Sequence, residues 1–251
     1  LYNTKTKKGN ILADATTLHI AHKMIDLDSA INIKTILNAG QTSVNGKLIL
    51  LGGELHYDMA TKTYPSDSDI LIVQDMKKEE ASPFMDMLSV QLEVKTQKSL
   101  VYKQGPIDIQ ALVDLSIHKA EHSELMVLGE VQIVKGGSYI FEGKKFVLDK
   151  SNIYFTGNPN KPLLDMSVKY KSLRHMITIG ISGTPASPNI TFSSVPSLQK
   201  EQILSIILFD SQEGAGTNSG EDMMKMMGGA MAKTALNDMG IKLDHLAIGS
   251  N

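Results

Sequence analysis

Hydrophobic residues recur at every second position through much of this chain. Over residues 107–118, Ile107, Ile109, Ala111, Val113, Leu115 and Ile117 fill the odd positions. Asp108, Gln110, Asp114, Ser116 and His118 fill the even ones, with Leu112 as the one apolar exception. A period of two gives a strand one dry face and one wet face. At roughly 3.3 Å per residue this strand would reach about 40 Å, beyond the usual five or six residues. Leu88, Val90, Leu92 and Val94 alternate in the same way with Ser89, Gln91, Glu93 and Lys95. Leu164, Met166, Val168 and Tyr170 form another such set, and Ile177, Ile179 and Ile181 another.

Turns are predicted where glycine and proline interrupt the alternation: Gly52-Gly53, Gly136-Gly137, Gly143, Gly157-Asn158-Pro159 and Gly183-Thr184-Pro185. Residues 139–193 read as a meander of short strands. No long helical pattern separates them, which disfavours parallel βαβ units. Segments 18–23, 30–37 and 47–57 alternate less cleanly, and 75–84 is a charged excursion ending at proline, a loop or short helix. After Pro196 the period changes. Ile203, Leu204, Ile206, Ile207 and Leu208 sit at helical spacing, with Gln199 and Gln202 placed to cap the first turn. A glycine-containing linker at 211–220 leads to a second predicted helix at 221–238. The expected architecture is mainly β: a long antiparallel sheet followed by two short C-terminal helices.

The 251 residues are 42% hydrophobic and 21% charged, enough for a substantial core. A net charge of −2 gives no electrostatic footprint for nucleic acid. With no cysteine, disulfides, thiolate metal sites and cysteine nucleophiles are excluded. Tryptophan is absent and aromatics make up 5%, so recognition by stacking on bases or sugars is disfavoured. The chain opens on Leu1 with no leader pattern, and reads as a piece of a longer protein. The longest stretch free of formal charge, 175–199, contains Pro185, Pro188 and Pro196 and is no transmembrane helix.

Candidate chemistry is sparse. His118 and His122 are spaced as two ligands on a helix would be, but His118 closes the best strand. His19 and His22, three apart on a strand, fall on opposite faces. The pairs Asp67/Asp69 and Asp26/Asp28 lack the glycine and distal glutamate of a calcium loop and read as turn residues. No nucleophile elbow and no phosphate-cradling loop occurs. The residues therefore nominate no catalytic set, metal or cofactor. Met223, Met224, Met226, Met227, Met231 and Met239 crowd the last predicted helix. Methionine adapts to irregular apolar partners, so Met223, Met227 and Met231 mark a helix that either packs on the sheet or caps a groove.

What remains is shape. A sheet with one aliphatic face must close on itself, hold a ligand in a groove, or dock a partner. A lining of Ile, Val, Leu, Ala and Met with few polar groups suits flexible alkyl chains.

From residue 128 the order of short blocks is distinctive. They are Gly129-Glu-Val-Gln-Ile-Val-Lys-Gly-Gly-Ser-Tyr139, Phe146-Val-Leu-Asp149 and Ser151-Asn-Ile-Tyr-Phe-Thr-Gly157. Then come Asn158-Pro-Asn-Lys-Pro-Leu-Leu-Asp165, Ile181-Ser-Gly-Thr-Pro-Ala-Ser-Pro-Asn-Ile190, Ser193-Ser-Val-Pro196, Gln202-Ile-Leu-Ser-Ile-Ile-Leu-Phe209 and Leu243-Asp244. This half of the chain resembles the C-terminal domain of the TamB family, the AsmA-like inner-membrane component of the translocation and assembly module. Residues 1–127 resemble it only as long alternating strands. The family usually has glycine where this chain has Asp210. The resemblance divides the chain into an elongated β-groove segment, 1–127, a C-terminal meander, 128–196, and a helical segment, 197–251.

It also implies a curved sheet folded like a taco around a hydrophobic groove. The implied setting is the Gram-negative periplasm, with an inner-membrane anchor helix outside this sequence. The implied partners are phospholipid acyl chains and TamA, a barrel of the Omp85 class, whose contact strands would follow the Leu243-Asp244 block. The corresponding activity is non-enzymatic passage of phospholipid between the membranes and support of outer-membrane protein assembly. On that reading Val90, Leu92, Val94, Ile109, Ala111, Val113, Leu115 and Ile117 line the groove. The alternative is a scaffold that docks barrel or autotransporter strands by β-augmentation without carrying lipid.

Overall fold

Period-two alternation becomes one sheet. The computed structural model describes residues 2–3, 8–56, 83–141, 143–149 and 151–209. The strands are β1 (Tyr2–Asn3), β2 (Lys8–His22), β3 (Ile25–Asn38), β4 (Gln41–Leu55), β5 (Leu88–Thr96), β6 (Leu100–Gln104) and β7 (Ile107–Lys119). They continue with β8 (Met126–Ile133), β9 (Ser138–Phe141), β10 (Lys144–Leu148), β11 (Ser151–Gly157), β12 (Leu163–Lys171), β13 (Met176–Thr184) and β14 (Ser187–Val195). Two helices accompany them, α1 (Pro83–Asp86) and α2 (Lys200–Phe209). All 14 strands belong to a single sheet.

Several strands are halves of longer ones. β5 and β6 both lie antiparallel to β7, so they form one strand interrupted at 97–99. β8 and β9 likewise run along β7, and β11 and β10 turn back along them. β8 crosses residues 127–128 without a break. The result is an antiparallel meander with one exception to the expected topology: β4 pairs in parallel with β5 and β6. Leu88 lies opposite Thr42, at the far end of β4 from its exit. The connection through residues 56–87 therefore returns the chain over a strand length of about 45 Å, as a parallel pairing demands.

The interruptions line up. β2 shifts register between Ala15 and Leu18, β4 slips at Leu51, and the breaks at 97–99, 134–137 and 149–150 sit at neighbouring levels. A bulge bends its strand, and a row of bulges bends the whole sheet along one line. That line is the fold of the taco. Ser29, Leu50, Leu100, Ile133 and Ser151 lie along it and are buried, whereas most of their apolar neighbours are half-buried.

Small hydroxyl residues repair the backbone there. Thr96 Oγ1 accepts a hydrogen bond from Val113 N at 2.9 Å, where the ladder between β5 and β7 breaks. Ser29 Oγ donates to Leu18 O, and Ser151 Oγ donates to Asp149 O while accepting from Ser167 N. Unmade backbone bonds at a bend would otherwise cost about 1–3 kcal/mol each.

Two expected turns fall differently. Gly52-Gly53 lies inside β4, just past the bulge. Gly53 has φ +144°, and a Cβ on it would stand 2.5 Å from Leu27 Cα. Glycine here lets one strand bend against its neighbour instead of ending it. Asp26 and Asp28 are not turn residues but strand residues of β3, where Asp28 meets His19 Nδ1 at 3.0 Å. Asp67 and Asp69 lie outside the described residues.

α2 begins as its capping pattern requires: Gln199 N donates to Gln202 Oε1 at 2.9 Å. Its Ile203, Ile206 and Ile207 pack on Phe146, Tyr170 and Ile177. The second predicted helix lies outside the described residues.

Candidate functional site

Register assigns every strand's inner positions to a common face. One row runs Ala15–Ile31–Leu48–Val94–Leu115–Gly129–Phe155 across β2, β3, β4, β5, β7, β8 and β11. Another runs Val113–Val131–Ile153–Leu164–Gly183 from β7 to β13. A third, Leu148–Val168–Ile179–Phe192, reaches β14. Among the described residues, no carboxylate stands at an inner-face position of these strands. Cations hold such positions only at strand ends, as Lys119 and Lys144 do. The hydroxyls of Ser29, Thr96 and Ser151 are engaged with backbone, so they offer a ligand little direction.

The outer face is the inverse. Lys47–Glu93 at 2.9 Å, Lys95–Asp114 at 3.1 Å and Lys103–Asp108 at 3.5 Å pair across neighbouring strands in solvent. Exposed pairs of this kind contribute little to stability, because solvent and salt screen them. Lys47 holds the Glu93 carboxyl below its ordinary value, first by its hydrogen bond and then by its charge.

All eight residues nominated from sequence as lining lie on the inner face and are half-buried: Val90, Leu92 and Val94 on β5, and Ile109, Ala111, Val113, Leu115 and Ile117 on β7. Leu92 pairs with Ile117 and Val94 with Leu115, so they form one contiguous patch. Met223, Met227 and Met231 lie outside the described residues. Sequence reasoning did not nominate the C-terminal part of the same face. There an open cavity of about 350 Å³ is lined by Tyr139, Phe141, Phe146, Leu148, Met166, Val168, Ile179, Ile181, Ile190 and Phe192. The alternation in 164–170 and 177–181 marked those strands. What was missing was the turn of β9 and β10 that brings three of the chain's few aromatic rings beside them.

The histidines weighed for metal binding sit in different settings. His118 is half-buried at the end of β7, while His122, at φ +55°, bonds Asp86 Oδ2 through Nδ1 at 3.1 Å. His19 and His22 face opposite sides of β2, as their spacing predicts. Among the described residues no group of three or more His, Asp or Glu is placed to hold a metal ion. No helix among them is long and apolar enough to cross a membrane.

No curated protein matches the chain. A family model for the TamB C-terminal domain matches residues 4–250, and so takes in the N-terminal strands as well as the blocks after residue 128. A single bent sheet whose inner face carries no carboxylate among the described residues agrees with that match. The chain belongs to the TamB family, as its C-terminal domain, and with it to the assembly machinery of the Gram-negative cell envelope.

Proposed function

We propose that the bent sheet is a conduit for phospholipid acyl chains between the inner and outer membranes, working without catalysis or cofactor. The observation that carries this reading is the inner face itself: predominantly apolar from β2 to β14, without carboxylates, and overlaid among the described residues by α2 at one end. An acyl chain gains about 0.8 kcal/mol per methylene removed from water, so even an open trough holds it. With no oriented polar group in the lining, the chain slides. Val90, Leu92, Val94, Ile109, Ala111, Val113, Leu115 and Ile117 form the middle of the path. The reading places the protein in the periplasm, held to the inner membrane by a helix outside this sequence. It supports outer-membrane protein assembly there together with a TamA-like Omp85 barrel.

Native mass spectrometry of protein purified from a Gram-negative periplasm without detergent tests the conduit. Phospholipid masses are expected on the wild type and are expected to be depleted in Leu115→Asp, which sets a charge in the lining. A wild type that is free of lipid overturns the conduit.

One observation favours a second reading, a protein-docking scaffold. Among the described residues β14 pairs only with β13, so the other edge of Ser187–Val195 is where a further strand could add. Crosslinks from β14 to barrel precursors, together with a lipid-free inner face, would favour it.

A further inference from the structure

The end of the sheet next to α2 carries a feature that neither conduction nor strand docking uses. β12 and β13 meet in a tight turn, with Lys171 paired to Met176 and Met176 paired in turn to Val195 of β14. Inside that turn Leu173 is 97% exposed, and Val195 beside it is 75% exposed. Large aliphatic side chains are seldom presented so fully at a hairpin tip. Hydrogen bonds brace the turn: Ser172 N donates to His175 O at 2.9 Å, and His175 N donates to Ser172 Oγ at 3.1 Å. Leu173 is therefore held out into solvent by a braced loop.

Cations flank it. Lys171 and Arg174 neighbour Leu173 in sequence, Lys145 lies at the same end of the adjoining β10, and Lys200 opens α2 after Val195 with its Nζ over the Phe192 ring at 5.6 Å. Lys144 stands next to Lys145 and reaches Leu208 O at 3.5 Å. Among the described residues none of these five forms an ion pair with a carboxylate. Glu142, Glu201 and Asp210 are the acids nearby in sequence against five cations, so a cationic excess stays at this corner of a chain whose net charge is −2.

We propose that this corner docks on a bilayer surface carrying anionic phospholipid, with Leu173 and Val195 entering the interface and Lys145, Lys171 and Arg174 meeting the headgroups. An apolar tip flanked by long cationic side chains matches the layered chemistry of that interface. The aliphatic stems lie in the acyl boundary while the charged ends stay among phosphates. Nucleic acid would satisfy the cations but leave Leu173 unexplained. The docking goes beyond the conduit and does not depend on it.

Flotation of the purified protein with vesicles tests it, using phosphatidylcholine alone and phosphatidylcholine mixed with phosphatidylglycerol. The wild type is expected to float with the anionic vesicles, to release them at high salt, and to bind neutral ones weakly. At about 1 kcal/mol per surface cation, Lys171→Gln and Arg174→Gln should each weaken binding about fivefold, and together roughly thirtyfold. Leu173→Ser should weaken it about tenfold, the loss of one inserted aliphatic side chain. These side chains lie at the rim, so thermal stability should not change. Equal flotation of the double variant and the wild type overturns the proposal, as does failure of the wild type to float. Wild-type binding by Leu173→Ser overturns insertion and reduces the contact to charge. Leu115→Asp should float as the wild type does, whether or not the trough carries lipid, so the two ideas fail separately.

Discussion

The same alternating pattern ends differently at the two ends of one face. At β10, β12 and β13, the inner residues Phe146, Tyr170 and Ile177 lie under Ile203, Ile206 and Ile207 of α2, and Ile177 is fully buried. At β5 and β7, residues of the same kind in the same register, Leu92 and Leu115 among them, stay half-buried with no described layer above them. Neither composition nor period separates the two regions. Ten residues of helix do. A sheet face becomes core where it is covered, and where it is left bare it is available to a ligand.

Truncating one residue in each region tests this most sharply. Ile177→Ala removes a side chain packed on all sides and should cost about 2–5 kcal/mol. Leu92→Ala removes one already partly in water and should cost about 1 kcal/mol. Urea unfolding followed by circular dichroism reads both. Equal losses would mean that the face at β5 and β7 is as closed as the helix-covered end, and the trough reading would fall.

How legible this was depended on the bulges. β5, β7, β12 and β13 keep a single phase of alternation, and the sequence pattern located each of them. β2 and β4 change phase midway: Ile11, Ala13 and Ala15 give way to Leu18 and Ile20, and Leu48 and Leu50 to Gly53 and Leu55. A period-two reading averages such a shift into noise, which is why 47–57 alternated poorly although 47–55 lie in a strand of 15 residues. Gly52-Gly53 misled in the same way, because a bend and a turn call for the same residue. The parallel placement of β5 beside β4 leaves no local trace, since it depends on where a connection ends. Lining residues could be nominated where alternation was strict. The aromatic cavity could not, because it is assembled from β9, β10 and β12–β14 by long-range pairing.

The seam between the two walls is the next place to test the comparison. Thr96 supplies through its side chain the acceptor that Val113 N loses at the strand break. Thr96→Val keeps the shape but removes the oxygen, and should cost about 1–2 kcal/mol by leaving a partly buried N–H unmet. Thr96→Ser should recover most of that loss. If Thr96→Val unfolds at the same urea concentration as the wild type, water in the trough already serves Val113, and the bend does not rely on its hydroxyls.

The smallest effect is expected on the outer face of the open region. Glu93 and Lys47 meet there at 2.9 Å in solvent. The hydrogen bond and charge of Lys47 hold the Glu93 carboxyl below its ordinary value, Lys95 adds to the lowering, and Asp114 opposes it. A carboxylate whose pKa is lower folded than unfolded stabilises the fold above its unfolded value, and that contribution is lost as pH falls through the folded value. Glu93→Gln should therefore unfold at slightly lower urea than the wild type at neutral pH. The gap should close in acid below the glutamate range and shrink with added salt. Measured over that range, a gap that survives acid would assign the role of Glu93 to packing along β5 and not to charge. A large gap would mean that the uncovered half of the sheet leans on its outer ion pairs, and not on the backbone ladder and the bent inner face alone.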